Sequence, residues 1–244
     1  MTIRVDFHMT EMPIETESYR DQPFGDALVE SIKAMIKEQL EKREEWRPSS
    51  YVTFSEKSIS YCIGLVDMVD SSKIAASLGM QKMSRYYQHF LNLMSKIIIE
   101  FDGQVIKNVG DCLLYYFPET ERWQDRLAMS KALECSLAMI SARKFLCSQM
   151  KSEGLPCCDY RISMDYGFVM PMKSTDSKAT DMIGPAVNMC SKINRCAERN
   201  GIVIGGDLYH LAKNMYEFSF KELKSYSAGF KHSYPVYQLK KRMV

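Results

Sequence analysis

Three groups of side chains in this chain have the types and spacing that handle phosphate and metal. The first is Lys107 and Asp111, a cation and a carboxylate flanking Asn108, Val109 and Gly110. Gly-containing turns of this kind join the two strands of a hairpin, here spanning 103–117. The second is Asp67, near the end of the apolar run Ser58–Met68 and followed by Val69, Asp70, Ser71 and Ser72. A carboxylate at the end of a buried strand, leading through a small polar turn into a helix, lies where open sheets usually carry ligand groups. The third is Asn188 and Lys192, four residues apart and therefore on one helix face, where both reach the same ligand.

Two carboxylates converging beside a lysine favour a pair of divalent ions on a nucleoside triphosphate, because hard cations take oxygen ligands and phosphates supply the remainder. Each group alone also has a plainer reading. Lys107 and Asp111 fit a surface turn with two solvated charges, and Ser71 and Ser72 fit helix caps.

The elements that must position these groups follow from hydrophobic period. Ser58–Met68 is short and nearly continuous in apolar residues, as expected of a central strand buried on both faces. Helical stretches follow over 73–78 and 82–101, the latter with Tyr86, Phe90, Leu93, Met94 and Ile97 on one face. After the hairpin come a helix over 126–150 and a partly alternating strand over 159–172. Gly184 and Pro185 then open a helix expected to run to about Asn200, with Gly201 closing it. Short elements at 202–204, 207–212 and 234–239 complete the order. The first six elements match the split βαβ pattern, which sets the first strand beside the hairpin and so brings Asp67 toward Asp111.

Before these lie an arm over 1–25 and an amphipathic helix from Asp26 to about Trp46, punctuated by Pro48, Ser49 and Ser50. This divides the chain into an N-terminal segment, 1–50, and a domain, 51–244. The N-terminal helix has two readings, a docking or signal-transmitting element and an ordinary helix packed on its own domain.

Composition excludes several classes. With 46% hydrophobic and 25% charged residues and a net charge of +2, the chain is that of a globular protein without a nucleic-acid or membrane-surface footprint. No apolar run approaches a membrane span and the N-terminus lacks a signal core. The eight cysteines sit mostly in apolar runs with no C-x-x-C spacing, so they read as reduced core residues of a cytoplasmic protein.

In this order and at these separations, LVDMVDSS, KNVGDCLLYYF and DMIGPAVNMCSKI resemble the motifs of the class III nucleotidyl cyclase catalytic domain, the adenylate and guanylate cyclases, over about 58–239. The resemblance implies an α+β, ferredoxin-like (split βαβ) fold with an antiparallel-centred sheet. It implies that Asp67, Asp111 and the Met68 backbone hold two Mg²⁺ or Mn²⁺ ions. The backbone of Asp70 and Ser71, with Ser72, would cradle phosphates as a nest of N–H groups. Lys107 and Asp181 match the base-selecting pair of adenylate cyclases, where guanylate cyclases usually carry Glu and a small residue. Asn188 matches the Asn that orients ribose.

Three positions depart from the family pattern. Lys192 stands where Arg normally stabilises charge on the α-phosphate, Asp70 where Gly is commonest, and Ser225 in place of the Gly of an L-K-G segment. The lysine that contacts the triphosphate there is Lys224 or Lys231. The implied reaction is attack of the ribose 3′-oxygen on the α-phosphorus of ATP, giving 3′,5′-cyclic AMP and pyrophosphate at sites shared between two protomers of a homodimer. A cyclase for guanine or a pyrimidine, and a degenerate nucleotide-binding or dimerisation module, are the alternatives.

Overall fold

The computed structural model describes residues 30, 31, 33, 34, 52–55, 57–174, 180–223 and 234–242. It forms two units, 1–49 and 50–244. Of the first, Glu30, Ser31, Lys33 and Ala34 are described; they are helical and exposed, with Lys33 paired to Glu30 at 2.8 Å. The rest of the helix expected over 26–46, and the arm before it, lie outside the described residues.

Among its described residues the second unit has nine strands: β1 (Val52–Phe54), β2 (Ile59–Met68), β3 (Gln104–Val109), β4 (Cys112–Phe117), β5 (Tyr160–Ser174), β6 (Thr180–Ile183), β7 (Ile202–Gly205), β8 (Phe218–Glu222) and β9 (Val236–Lys241). Five helices accompany them: α1 (Ser71–Ser77), α2 (Met80–Glu100), α3 (Arg126–Ser152), α4 (Pro185–Ile193) and α5 (Gly206–Ala212). The strands run β3-β4-β2-β5-β7-β9-β8, with β1 and β6 both paired to the far end of β5. The consecutive segment β3-β4-β2-β5 is the split βαβ order, with β2 antiparallel to both β4 and β5.

Why β2 is almost wholly apolar is visible in its two faces. Cys62 and Val66 join Tyr86, Phe90, Met94 and Ile98 of α2 and Met129, Leu133 and Met139 of α3 in one core. Tyr61, Ile63 and Leu65 point the other way, into a smaller cluster with Ala186 and Cys190 of α4. Helices thus cover both faces at β2, and alternation disappears from its sequence. Gly64 is placed by the same packing, because a β-carbon there would collide with the ring of Tyr115, its partner on β4.

Several boundaries differ from the sequence expectation. The helix opened by Pro185 stops at Ile193 and tightens into a 3-10 turn over Asn194–Cys196. The buried Asn194 amide donates to Ser163 Oγ at 3.2 Å and Arg161 O at 3.4 Å, and these tertiary bonds override a local pattern that would continue the helix. Asn200, with φ 58, takes the left-handed position expected of Gly201. Strands β1, β6 and β8, of three to five residues, are too short to show a period.

The cysteine expectation is corrected at one pair. Cys147, near the end of α3, and Cys157, in the segment entering β5, form a disulfide with Cα atoms 4.8 Å apart. They face each other because the chain reverses at Gly154, whose φ is 67. The remaining six are free. No described helix is long and apolar enough to cross a membrane.

Behind the main core, Asp165 of β5 is 1% exposed. It accepts the Tyr234 hydroxyl at 2.8 Å and the N–H groups of Tyr166 and Leu208 at 2.9 and 3.4 Å. Burial raises its pKa to about 7 despite these bonds, which oppose the shift, while Asp207 adds to it. The folded state therefore holds this proton more tightly than the unfolded chain, and stability falls as pH rises from about 4 to about 7. Asp165→Asn removes the charge and keeps one oxygen for the backbone N–H groups, while its amide nitrogen donates to the Tyr234 hydroxyl oxygen in place of accepting from it. Thermal melts are expected to show the variant gaining on wild type as pH rises across that window; parallel curves would exclude the shift.

Candidate functional site

Strand β2 delivers Asp67 in register between Cys112 of β4 and Arg161 of β5. The residue before Cys112 is Asp111, so the two carboxylates arrive on neighbouring strands. The turn holding Asp111 has two residues, since Val109 pairs with Cys112 and only Gly110 and Asp111 lie between. Gly110 adopts φ 61, which costs glycine little. The Met68 N–H donates to the Asp111 carbonyl at 3.4 Å, tying the hairpin tip to the end of β2.

Burial, and secondly the like charge of Asp111, raise the Asp67 carboxyl to about 6, with Arg161 opposing. A carboxylate pair so placed fits a divalent cation, whose charge reverses both effects. Among the described residues no three of His, Cys, Asp or Glu gather to hold a metal. Two carboxylates at such a strand end suit ions whose coordination phosphate oxygens complete.

The turn after β2 carries more side-chain structure than expected. Ser71, 6% exposed, donates its hydroxyl to Asp111 Oδ2, so it holds a carboxylate and makes no cap for α1. Asp70 sits at φ 57, which accounts for glycine suiting the position and for Asp being tolerated there. Its carboxylate lies against Arg199 and, at 3.4 Å, Lys73. These cations, Arg199 foremost, hold it below the usual carboxylate range. Ser72 is exposed on α1 and Met68 is buried.

Lys107 of β3 and Asp181 of β6 meet at 2.5 Å. Asp181 Oδ1 accepts the N–H of Met182 at 2.7 Å, which fixes the carboxylate while Oδ2 takes the ammonium. Asn188 is exposed on α4, and Lys192 follows one turn later, partly buried. Lys224, Ser225 and Lys231 lie outside the described residues.

Two arginines escaped sequence reasoning. Arg161, facing Asp67, is partly buried, and its Nε is shielded from solvent without a hydrogen-bond partner among the described residues. A cation within the strand expected over 159–172 was its signal. Arg199 gave none, because its pairing with Asp70 spans 129 residues.

An antiparallel-centred α+β domain presenting paired carboxylates at a strand end, and a separate Lys–Asp pair, has the layout of a nucleotide-handling catalytic domain. The chain belongs to the adenylate and guanylate cyclase catalytic domain family, whose model matches residues 55–241. Solved structures agree in fold. The adenylyl cyclase CyaB from P. aeruginosa aligns with a TM-score of 0.69 and 20% identity, over 77% of this chain and 96% of that one. The guanylyl cyclase Cya2 gives 0.67 and 17%, over 75% and 92%. The catalytic core of a rhodopsin-guanylyl cyclase with converted specificity, in complex with ATPαS, gives 0.63 and 15%, over 80% and 100%. No curated protein matches in sequence.

Proposed function

We propose that the protein is a cytoplasmic adenylate cyclase, forming 3′,5′-cyclic AMP and pyrophosphate from ATP as a homodimer. The Lys107–Asp181 pair carries this reading. An ammonium and a carboxylate side by side match adenine, with lysine donating to a ring nitrogen and aspartate accepting from the exocyclic amine; the guanine carbonyl would face a carboxylate.

Asp67, Asp111 and the Met68 backbone of one protomer would hold two Mg²⁺ or Mn²⁺ ions. Bound there, such ions lower the 3′-hydroxyl pKa and neutralise the triphosphate. The turn backbone at Asp70 and Ser71, with Ser72, receives the phosphates, Arg161 adds positive charge beside the carboxylate pair, and Lys224 or Lys231 supplies a further cation. From the other protomer, Lys107 and Asp181 hold the base while Asn188 turns the ribose so that its 3′-oxygen lies in line with the α-phosphorus. Lys192 offsets charge developing on the α-phosphate, as a point charge where arginine would offer a planar fork. One chain carries both half-sites, so a two-fold dimer has two equivalent sites.

Similarity to guanylyl cyclases as well as adenylyl cyclases makes guanine the second reading. Purified protein with Mn²⁺ and each ribonucleoside triphosphate in turn, with products read by mass spectrometry, separates the two. Cyclic AMP from ATP alone is the expected result. Cyclic GMP would keep the mechanism and overturn the base assignment, and nucleotide binding without any product would favour a degenerate module.

A further inference from the structure

The phosphate turn contains an acidic side chain, which is electrostatically the wrong sign for its proposed ligand. Asp70 is of the type that normally caps a helix with its own carboxylate, yet it makes no side-chain cap on α1. Its carboxylate is instead taken by Arg199, with Lys73 on the other oxygen. Arg199 is itself seated: its second nitrogen reaches Asp159 Oδ2 at 3.3 Å. Asp159 Oδ1 in turn accepts from Arg143 at 2.6 Å and Asn200 at 2.8 Å. The Asp159 carbonyl accepts the Val69 N–H at 2.8 Å, so one residue braces both the turn backbone and the arginine that neutralises it.

We propose that Arg199 is a positioning residue for the phosphate turn, holding the Asp70 carboxylate in an ion pair so that the backbone N–H groups of Asp70 and Ser71, with Ser72, receive a triphosphate. The inference rests on the cyclase reading of that turn. Three cations, Lys73, Arg143 and Arg199, surround two carboxylates, Asp70 and Asp159, so the cluster keeps a positive balance while Arg199 is present. Without Arg199 it becomes neutral, and the Asp70 carboxylate keeps only the 3.4 Å Lys73 contact beside the incoming phosphates.

The test is calorimetric titration of the full chain with Mn²⁺ and α,β-methylene ATP, comparing wild type, Arg199→Ala, Asp70→Asn and the double variant. Arg199→Ala is expected to weaken binding about tenfold, within the coupling usual between contacting residues. The double variant is expected to bind within about twofold of Asp70→Asn, because no charge is then left to neutralise. A merely structural arginine would lower the melting temperature without such rescue, and Arg199→Lys, which keeps the charge, is expected to retain most of the affinity if the alanine variant misfolds. Unchanged binding in Arg199→Ala, or a double variant as weak as Arg199→Ala, overturns the proposal while leaving the cyclase reading intact. A wild type that binds no triphosphate analogue overturns both.

Discussion

Asp111→Asn is expected to reduce cyclic-nucleotide formation by at least about 10³-fold, the scale of losing a principal electrostatic element of a site, while the protein remains folded. Asparagine is the informative replacement because it separates a contact that Asp111 makes in this structure from the metal-binding role proposed for it. Its carboxylate receives the Ser71 hydroxyl, a bond that an amide oxygen preserves, and it carries the charge that an ion requires, which an amide does not. Asp111→Ala removes both and leaves the buried Ser71 hydroxyl unpaired, which adds a stability cost of about 1–3 kcal/mol. Equal kinetic loss in the two variants, with a lower melting temperature only in alanine, would assign catalysis to the charge. The Asp67 pKa should also fall in both, since Asp111 is the second cause of its elevation. An asparagine variant retaining a tenth of wild-type turnover would remove Asp111 from the metal-binding role.

The order of the four strands β3-β4-β2-β5 was legible because its signals are local. Continuous apolar residues over Ser58–Met68 require burial on both faces, and a glycine turn between two apolar runs requires a hairpin. The order β2, helices, β3, β4, α3, β5 then fixes which strands become neighbours. From that order alone Asp67 and Asp111 converge. Illegible features are those that depend on distant partners. Nothing near Asn194 marks the end of α4, which is set by acceptors on β2 and β5. Asp70 reads as a charge in the wrong place until Arg199, brought in by the turn after the 3-10 segment, is seen against it. Cys147 and Cys157 read as two core thiols until the reversal at Gly154 sets them face to face. Ser71 resembled a cap because its type and position fit one, and a competing acceptor on a hairpin 40 residues later claims its hydroxyl.

The second large effect is expected in base preference and is strongly non-additive. Lys107→Glu alone sets two carboxylates against each other across the 2.5 Å contact now filled by the ion pair. Their repulsion should disturb the pocket for every base, so activity falls without a new preference. Asp181→Ser alone removes the carboxylate proposed to accept from the exocyclic amine and takes away the ion-pair partner of Lys107. Together the two changes relieve the repulsion and reverse the hydrogen-bonding pattern, with a carboxylate to receive the N1–H and 2-amino group of guanine and a hydroxyl to donate to its carbonyl. Each mismatched buried polar contact costs about 1–3 kcal/mol, so the ratio of ATP to GTP turnover in the double variant should shift by about 10²-fold or more toward GTP. Competition between the two nucleotides in one reaction, with cyclic products quantified by mass, reads this ratio independently of total activity. If the ratio stays unchanged while turnover falls, the Lys107–Asp181 pair holds β3 to β6 and does not face the base, and the assignment of adenine loses its support.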